Sequence, residues 1–281
     1  MKELHTLITV AALTLAALDA SRVAAQTILL DDFQDGIDPQ WFPIDTNYVL
    51  DAAGMPIGPR PWGPGIFAAP TGALNLRTTG PVPPNPALPP GPSVFDTLNS
   101  GFLALGWVPS TVDPTFSNGR LRASVRVDNS SNADLILRAN PATFSGYVFA
   151  ALGGYGQFRF SRLDGGLIMR DELVPGPTFA PGENWMMEMG AIGNEFSLKA
   201  WKVGDPEPTT PQFTAIDNTY ALGALGVSAS VSTNNISAPT PVNATFDNVA
   251  FTPIPEPAAV FLVVAALASL FAAACCACRK T

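Results

Sequence analysis

From residue 119 onward the chain alternates apolar and polar positions with a period of two. In Gly119 to Asp128, Leu121, Ala123, Val125 and Val127 alternate with Arg120, Arg122, Ser124 and Arg126, so one side of an extended segment packs and the other meets solvent. The same short pattern, bounded by Gly, Pro, Asn and Asp, recurs over Ala133 to Ala139, Gly146 to Leu152, Gly156 to Leu163, Gly166 to Asp171, Asn184 to Gly190, Glu195 to Lys202 and Gly223 to Ser230. Asp164-Gly165-Gly166 predicts a hairpin turn between two of these strands. No segment between the chain's two apolar ends carries a stripe at helical spacing, and the pattern predicts an all-β, antiparallel β-sandwich.

Upstream of residue 119 the chain is different. Proline-rich stretches at 55–64 and 80–92 cannot supply central strands and are expected as long surface loops, with Ser237 to Pro241 as another. The residues between them hold too few apolar runs for a separate core, so residues 26–252 are expected to form one domain.

Both ends are apolar for other reasons. Residues 1–25 have Lys2, an apolar stretch from Leu7 to Leu18, and Val23-Ala24-Ala25 before Gln26, the layout of a secretory signal peptide. At the other end, Pro255-Glu256-Pro257 precedes Ala258 to Cys278, a run of 21 residues without a charged side chain, and then Arg279-Lys280. As a helix that run spans about 31 Å, enough for a bilayer core, and the basic pair belongs on the cytoplasmic side. The expected arrangement is an exported domain on a transmembrane helix over 258–278. The order of these three parts over 253–281 resembles the PEP-CTERM sorting signal of Gram-negative and related bacteria. The resemblance implies an exosortase, a membrane cysteine transpeptidase, as partner, with Pro255, Glu256 and Pro257 as recognition residues, Arg279 and Lys280 as the retention signal, and a final place at the cell surface or in an extracellular matrix. An ordinary single-pass anchor is the alternative. Cys275, Cys276 and Cys278 lie outside the core pattern and mark either a variant or a lipid attachment.

Composition then narrows the chemistry. The three cysteines all lie in the tail and His5 is the one histidine, so residues 26–254 have no Cys or His for nucleophilic triads, for zinc sites built on those ligands, or for disulfides. They carry 11 Lys and Arg against 20 Asp and Glu, a net charge of −9, which argues against nucleic acid as a partner. Residues 120–170 run the other way, with seven arginines against three aspartates.

Leu30-Asp31-Asp32-Phe33 followed by Trp41, Leu135 to Pro141 followed by Gly146-Tyr147, and Ala244 to Val249 are similar to bacterial concanavalin-like or laminin-G-like jelly rolls. The resemblance implies a jelly-roll-like sandwich with neighbouring terminal strands. That would bring Asp31 and Asp32 near Asp247 and Asn248, where structural calcium could take their oxygens; turn formation by the same acids is the competing reading. In Glu195 to Lys202, Ser197, Lys199 and Trp201 share the polar side. An exposed Trp201 beside Lys199 could stack on a sugar, with Arg122, Arg126, Arg138 and Arg159 extending a solvent-facing surface for extracellular polysaccharide; a packed Trp201 or merely solvated arginines are the alternatives.

Catalysis is not expected. Glu183 and Glu188 flank Trp185 at an offset that puts them on opposite strand faces, and the Glu-x-Asp-x-x-Glu signature of laminarinase-like jelly-roll glycosidases is missing. The sequence is therefore read as a non-enzymatic carbohydrate-binding surface or matrix protein. A purely structural matrix protein and a glycoside hydrolase are the alternatives.

Overall fold

The computed structural model describes residues 26–45, 48–50, 56–59, 65–81, 100–107, 116–128, 131–152, 156–165, 167–232, 238 and 240–254. Residues 1–25, expected as a signal peptide, the Pro-Glu-Pro motif, the apolar run and its basic end, the tail cysteines, and most of the 80–92 stretch lie outside the described residues. No helix occurs among those described.

The strands are β1 (Ile28–Asp31), β2 (Trp41–Asp45), β3 (Tyr48–Leu50), β4 (Pro56–Pro59), β5 (Gly65–Ala68), β6 (Leu74–Thr78), β7 (Ser100–Trp107), β8 (Gly119–Val127) and β9 (Asn132–Asn140). They continue with β10 (Ser145–Leu152), β11 (Gln157–Asp164), β12 (Leu167–Pro175), β13 (Asn184–Ile192), β14 (Glu195–Lys202), β15 (Phe213–Ile216), β16 (Ala224–Ser232) and β17 (Asn243–Pro253). Sheet A has the order β15-β14-β13-β8-β17-β6-β5, with β1 also paired to β17; sheet B has the order β12-β11-β10-β9-β16-β7-β2. All pairings are antiparallel. Part of the proline-rich 55–64 stretch does form a strand, β4, but it pairs only with β3 in a small separate sheet, as its missing N–H donors require.

The period of two reports the inner faces faithfully. Leu121, Ala123, Val125 and Val127 from β8 are buried with Met187 and Met189 from β13 and with Phe196 and Leu198 from β14. They meet Leu135, Phe149, Phe158, Phe160, Val227 and Ala229 from sheet B. Burial of each large side chain here stabilises the fold by about 1.5–3 kcal/mol. At the Asp164 turn, Gly165 adopts a φ of 59°, the left-handed conformation that suits glycine.

Candidate functional site

What sits on the outer faces follows from register. On sheet A, Arg122 lies across from Glu188, and Glu188 across from Lys199. One row along, Asp247 faces Ser124, Ser124 faces Met186, and Met186 faces Trp201. Arg122, Arg126, Lys199 and Trp201 thus share one face, as the alternation predicted.

Sharing a face does not expose them all. Trp201 is only 9% exposed, and the Arg122 guanidinium lies 5.0 Å from its ring centroid. Arg122 donates to buried Glu188 and, at 2.9 Å, to Glu207, which also takes Lys199 Nζ at 2.8 Å. The cause is the 203–212 loop, pinned where Gln212 donates to the Leu198 carbonyl at 2.9 Å and its side chain accepts from the Ala200 N–H at 2.6 Å. Glu207 on that loop gathers both cations over the indole. Burial pushes the Glu207 carboxyl up, but its bonds to Lys199 and Arg122 outweigh this and hold it below the usual range. The expected open indole is therefore corrected to a capped one.

Arg138 and Arg159 are corrected as well, from solvent-facing to buried, and they belong to sheet B. Arg138 donates to the carbonyls of Ser117 at 2.9 Å, Tyr220 at 3.0 Å and Gly193 at 2.7 Å, tying loops together. Arg159 makes two 2.7 Å bonds to Asp171.

The open part of the sheet A face is a groove of about 410 Å³ over β6, β17 and β8, where Asn75, Arg77, Ser124, Arg126, Thr245 and Asp247 present polar groups and the 68–73 turn forms a wall. Asn75 donates to Asn243 Oδ1 at 2.8 Å, and Arg126 Nε to Asp128 Oδ1 at 3.0 Å. The Asn75 amide also reaches the Ala244 carbonyl and Thr245 Oγ1 at 3.4 Å, so the donors left for a guest are those of the Arg126 guanidinium.

β1 does lie beside β17, with Asp31 across from Val249. Both Asp31 oxygens are committed: Oδ1 accepts from the Phe33 N–H at 2.7 Å, and Oδ2 from the Asp38 N–H at 3.1 Å and Trp41 Nε1 at 2.9 Å. Asp247 Oδ1 accepts from the Asn248 N–H at 2.7 Å. Burial and the charge of Asp32 push the Asp247 carboxyl up. One oxygen each from Asp31, Asp32 and Asp35 falls within 4.8 Å of the others. Asp31 and Asp32 thus cluster with Asp35 rather than with Asp247 and Asn248, and the expected four-residue set is met only in part.

The alternation gave no hint of a second polar cluster, on the outer face of sheet B. Asp134, Ser228, Ser230, Arg159 and Ser161 are all buried there. Asp134 Oδ2 accepts from Ser228 at 2.7 Å and Ser230 at 3.4 Å, while Oδ1 has no donor among the described residues. Burial pushes this carboxyl up to about 7, against the pull of Ser228, Arg159 and Ser230. The only signal in the sequence was Asp134 in one strand segment and Ser228 and Ser230, two residues apart, in another.

No family model and no curated protein matches the chain. Among solved structures, a native glycosidic hydrolase superposes at a TM-score of 0.50 with 10% identity, covering 84% of this chain and 99% of that one. The fold is an antiparallel, jelly-roll-like β-sandwich. A β-1,3-1,4-glucanase (lichenase) derived from a mouse hindgut metagenome gives 0.49 with 11% identity over 82% and 99% of the two chains. The carbohydrate-binding module CBM66 from Bacillus subtilis gives 0.39 with 14% identity over 53% and 80%.

The hydrolase match corrects the expectation of a chain without enzymatic activity: this fold is shared with a glycosidic hydrolase over nearly that protein's whole length. Glu183 precedes β13 and pairs with Lys202, while Glu188 is met by Glu207 from the 203–212 loop. Both donate nothing and accept from the same Arg122 Nη2, a juxtaposition that no single-strand motif contains.

Proposed function

We propose that the chain recognises extracellular polysaccharide through the outer face of sheet A. The groove over β6, β17 and β8 carries this reading. Its volume of about 410 Å³ falls within the range of small-molecule sites, roughly 300–1,000 Å³. Its lining mixes amide, hydroxyl, guanidinium and carboxylate groups, which suits the alternating donors and acceptors of sugar hydroxyls. Arg122, Lys199 and Trp201 continue the same face beyond Met186, and a longer glycan would reach them by displacing Glu207. Export through residues 1–25, retention by 258–278, and exosortase processing at Pro255-Glu256-Pro257 are the matching proposals for location and partner. Structural calcium at the β1–β17 corner, on Asp31, Asp32, Asp247 and Asn248 with Asp35 beside them, is the matching proposal for a cofactor. In this reading the proline-rich stretches belong to the single domain over 26–252.

The test is binding of the full-length chain in detergent to a panel of neutral and acidic polysaccharides, with Arg77→Ala beside the wild type. Saturable binding weakened by Arg77→Ala supports the groove. If no polysaccharide is bound, the reading fails and a purely structural matrix role replaces it. Hydrolysis is the second reading, favoured by the shared contact of Glu188 and Glu207 with Arg122. Release of reducing ends that is lost in Glu207→Gln would establish it.

A further inference from the structure

Large apolar side chains are exposed mainly at one end of the sandwich. Ile28, Leu29, Phe144, Ile192, Ile216 and Leu222 are each 41–63% exposed. Register and hydrogen bonds place them together. Ile192 closes β13 just before the turn into β14, where Glu195 lies across from Ile216. Arg138 bonds the carbonyls of Gly193, Tyr220 and Ser117 at once, and Asn118 Oδ1 accepts from the Gly193 N–H at 2.8 Å. Leu222 is two residues from Tyr220, and Phe144 ends the turn between β9 and β10, the strand end that carries Arg138. Ile28 lies across from Phe251, and Leu29 across from Ala250.

The chain leaves the sandwich at this same end. The Ile254 N–H donates to the Asn118 carbonyl at 3.1 Å, inside the knot formed by Arg138 and Asn118. Four residues later the uncharged run 258–278 begins. Four extended residues span at most about 14 Å, so a helix entering a bilayer at 258 holds this end of the sandwich within headgroup reach of the membrane. Exposed apolar clusters of this kind mark interaction sites, and apolar side chains at a membrane interface insert about 5–10 Å into the headgroup and acyl boundary.

We infer that this end of the sandwich docks on the bilayer surface, with Ile192, Ile216 and Leu222 at its centre. The inference rests on the proposed membrane anchor over 258–278. The charged side chains around Ile216 are Arg170, which donates to the Ile216 carbonyl, Asp217, which takes Arg162 and Arg170, and Glu195 across the strand pair; their mixed sign, largely paired off, selects a zwitterionic lipid surface over an anionic one. Docking directs the opposite end, with the turn after β14, away from the membrane.

The experiment reconstitutes the full-length chain in phosphatidylcholine vesicles with bromine on the acyl chains. Cys275, Cys276 and Cys278 are replaced by Ser, and a bimane label is placed at either Ile192→Cys or Val203→Cys, the latter exposed at the opposite end. Quenching several-fold stronger at 192 than at 203, and reduced by adding Ile216→Ser with Leu222→Ser, is the expected result. Chain that floats with the vesicles but is quenched equally, or not at all, at the two positions overturns the docking face while leaving the anchor intact. Chain that does not float with the vesicles refutes the anchor and this inference together.

Discussion

Asp134→Asn should remove a pH dependence of stability in the range where the protein would work. Asp134 is the third residue of β9, with Oδ2 on two serines and Oδ1 without a donor among the described residues, and burial raises its carboxyl from an ordinary 3.8 to about 7. The folded chain therefore holds this proton over a range where the unfolded chain has released it. Stability falls as pH rises through that window, because the folded state binds more protons. The contribution is fully present below about 4 and is lost above about 7, and at about 1.4 kcal/mol per pH unit the whole window amounts to about 4 kcal/mol. The asparagine cannot ionise, so it should flatten this slope. Asp217 supplies an internal contrast. Burial raises its carboxyl, but hydrogen bonds from Thr219, Tyr147 and Arg162 outweigh that and hold it well below the usual range. Its stabilisation is present above the ordinary value and disappears only as pH falls below it, so it adds no slope above pH 5. Urea denaturation of the full-length chain in micelles at pH 5 and pH 8 separates the two. The wild type should lose about 3 kcal/mol more than Asp134→Asn across that interval; parallel losses in the two chains would refute the assignment of the slope to Asp134.

Glu207→Gln should release Arg122 and Lys199 from the indole of Trp201, seen as stronger acrylamide quenching of tryptophan fluorescence, with a stability change of about 1 kcal/mol or less because the ion pairs are partly exposed. Arg159→Ala leaves Asp171 without its guanidinium in a largely buried place and should cost about 3–5 kcal/mol in urea unfolding, whereas Arg159→Met combined with Asp171→Leu should cost far less; equal costs would mean that the pair is not coupled. Calcium should raise the melting temperature of the full-length chain, a chelator should reverse the rise, and Asp32→Asn with Asp247→Asn should abolish it. An unchanged melting temperature in calcium would remove the cation from the β1–β17 corner.

Among the strands from β8 to β16, those that bury one face and leave the other partly open were the most legible, because hydrophobic period and structure coincide there, whereas β10 is buried on both faces. β8 is the clearest case, with every second residue from Gly119 to Val127 buried. β17 was harder to read because its pairing with β8 shifts between Asp247 and Ala250 and Asn248 takes a φ of 51°. A bulge of this kind moves the next apolar residue, Val249, off the period and hides a strand of 11 residues in the sequence. β5 and β6 are short and follow a proline-rich stretch, so Leu74 and Leu76 give only two turns of the alternation.

The site was legible to one bit per residue and no further. Alternation assigned Trp201, Lys199, Arg122 and Arg126 to the outer face of their sheet, and the structure agrees. It could not tell outer from exposed, since that depends on chain far away in sequence. The 203–212 loop brings Glu207 over Trp201, and the outer face of sheet B at Asp134 is as buried as the core. The same burial that misled the reading has a chemical consequence. A carboxylate pointing away from the core is expected to titrate as it would in water, but Asp134 is raised to about 7 because desolvation acts on it from a side that period-two logic assigns to solvent. In a two-layer sandwich the inner faces are thus fixed by local pattern, whereas the groove over β17 and the capped indole are set by loops returning over the outer face of sheet A. Variation of those loops can change what that face binds or how its acids titrate without disturbing the core that the alternation encodes.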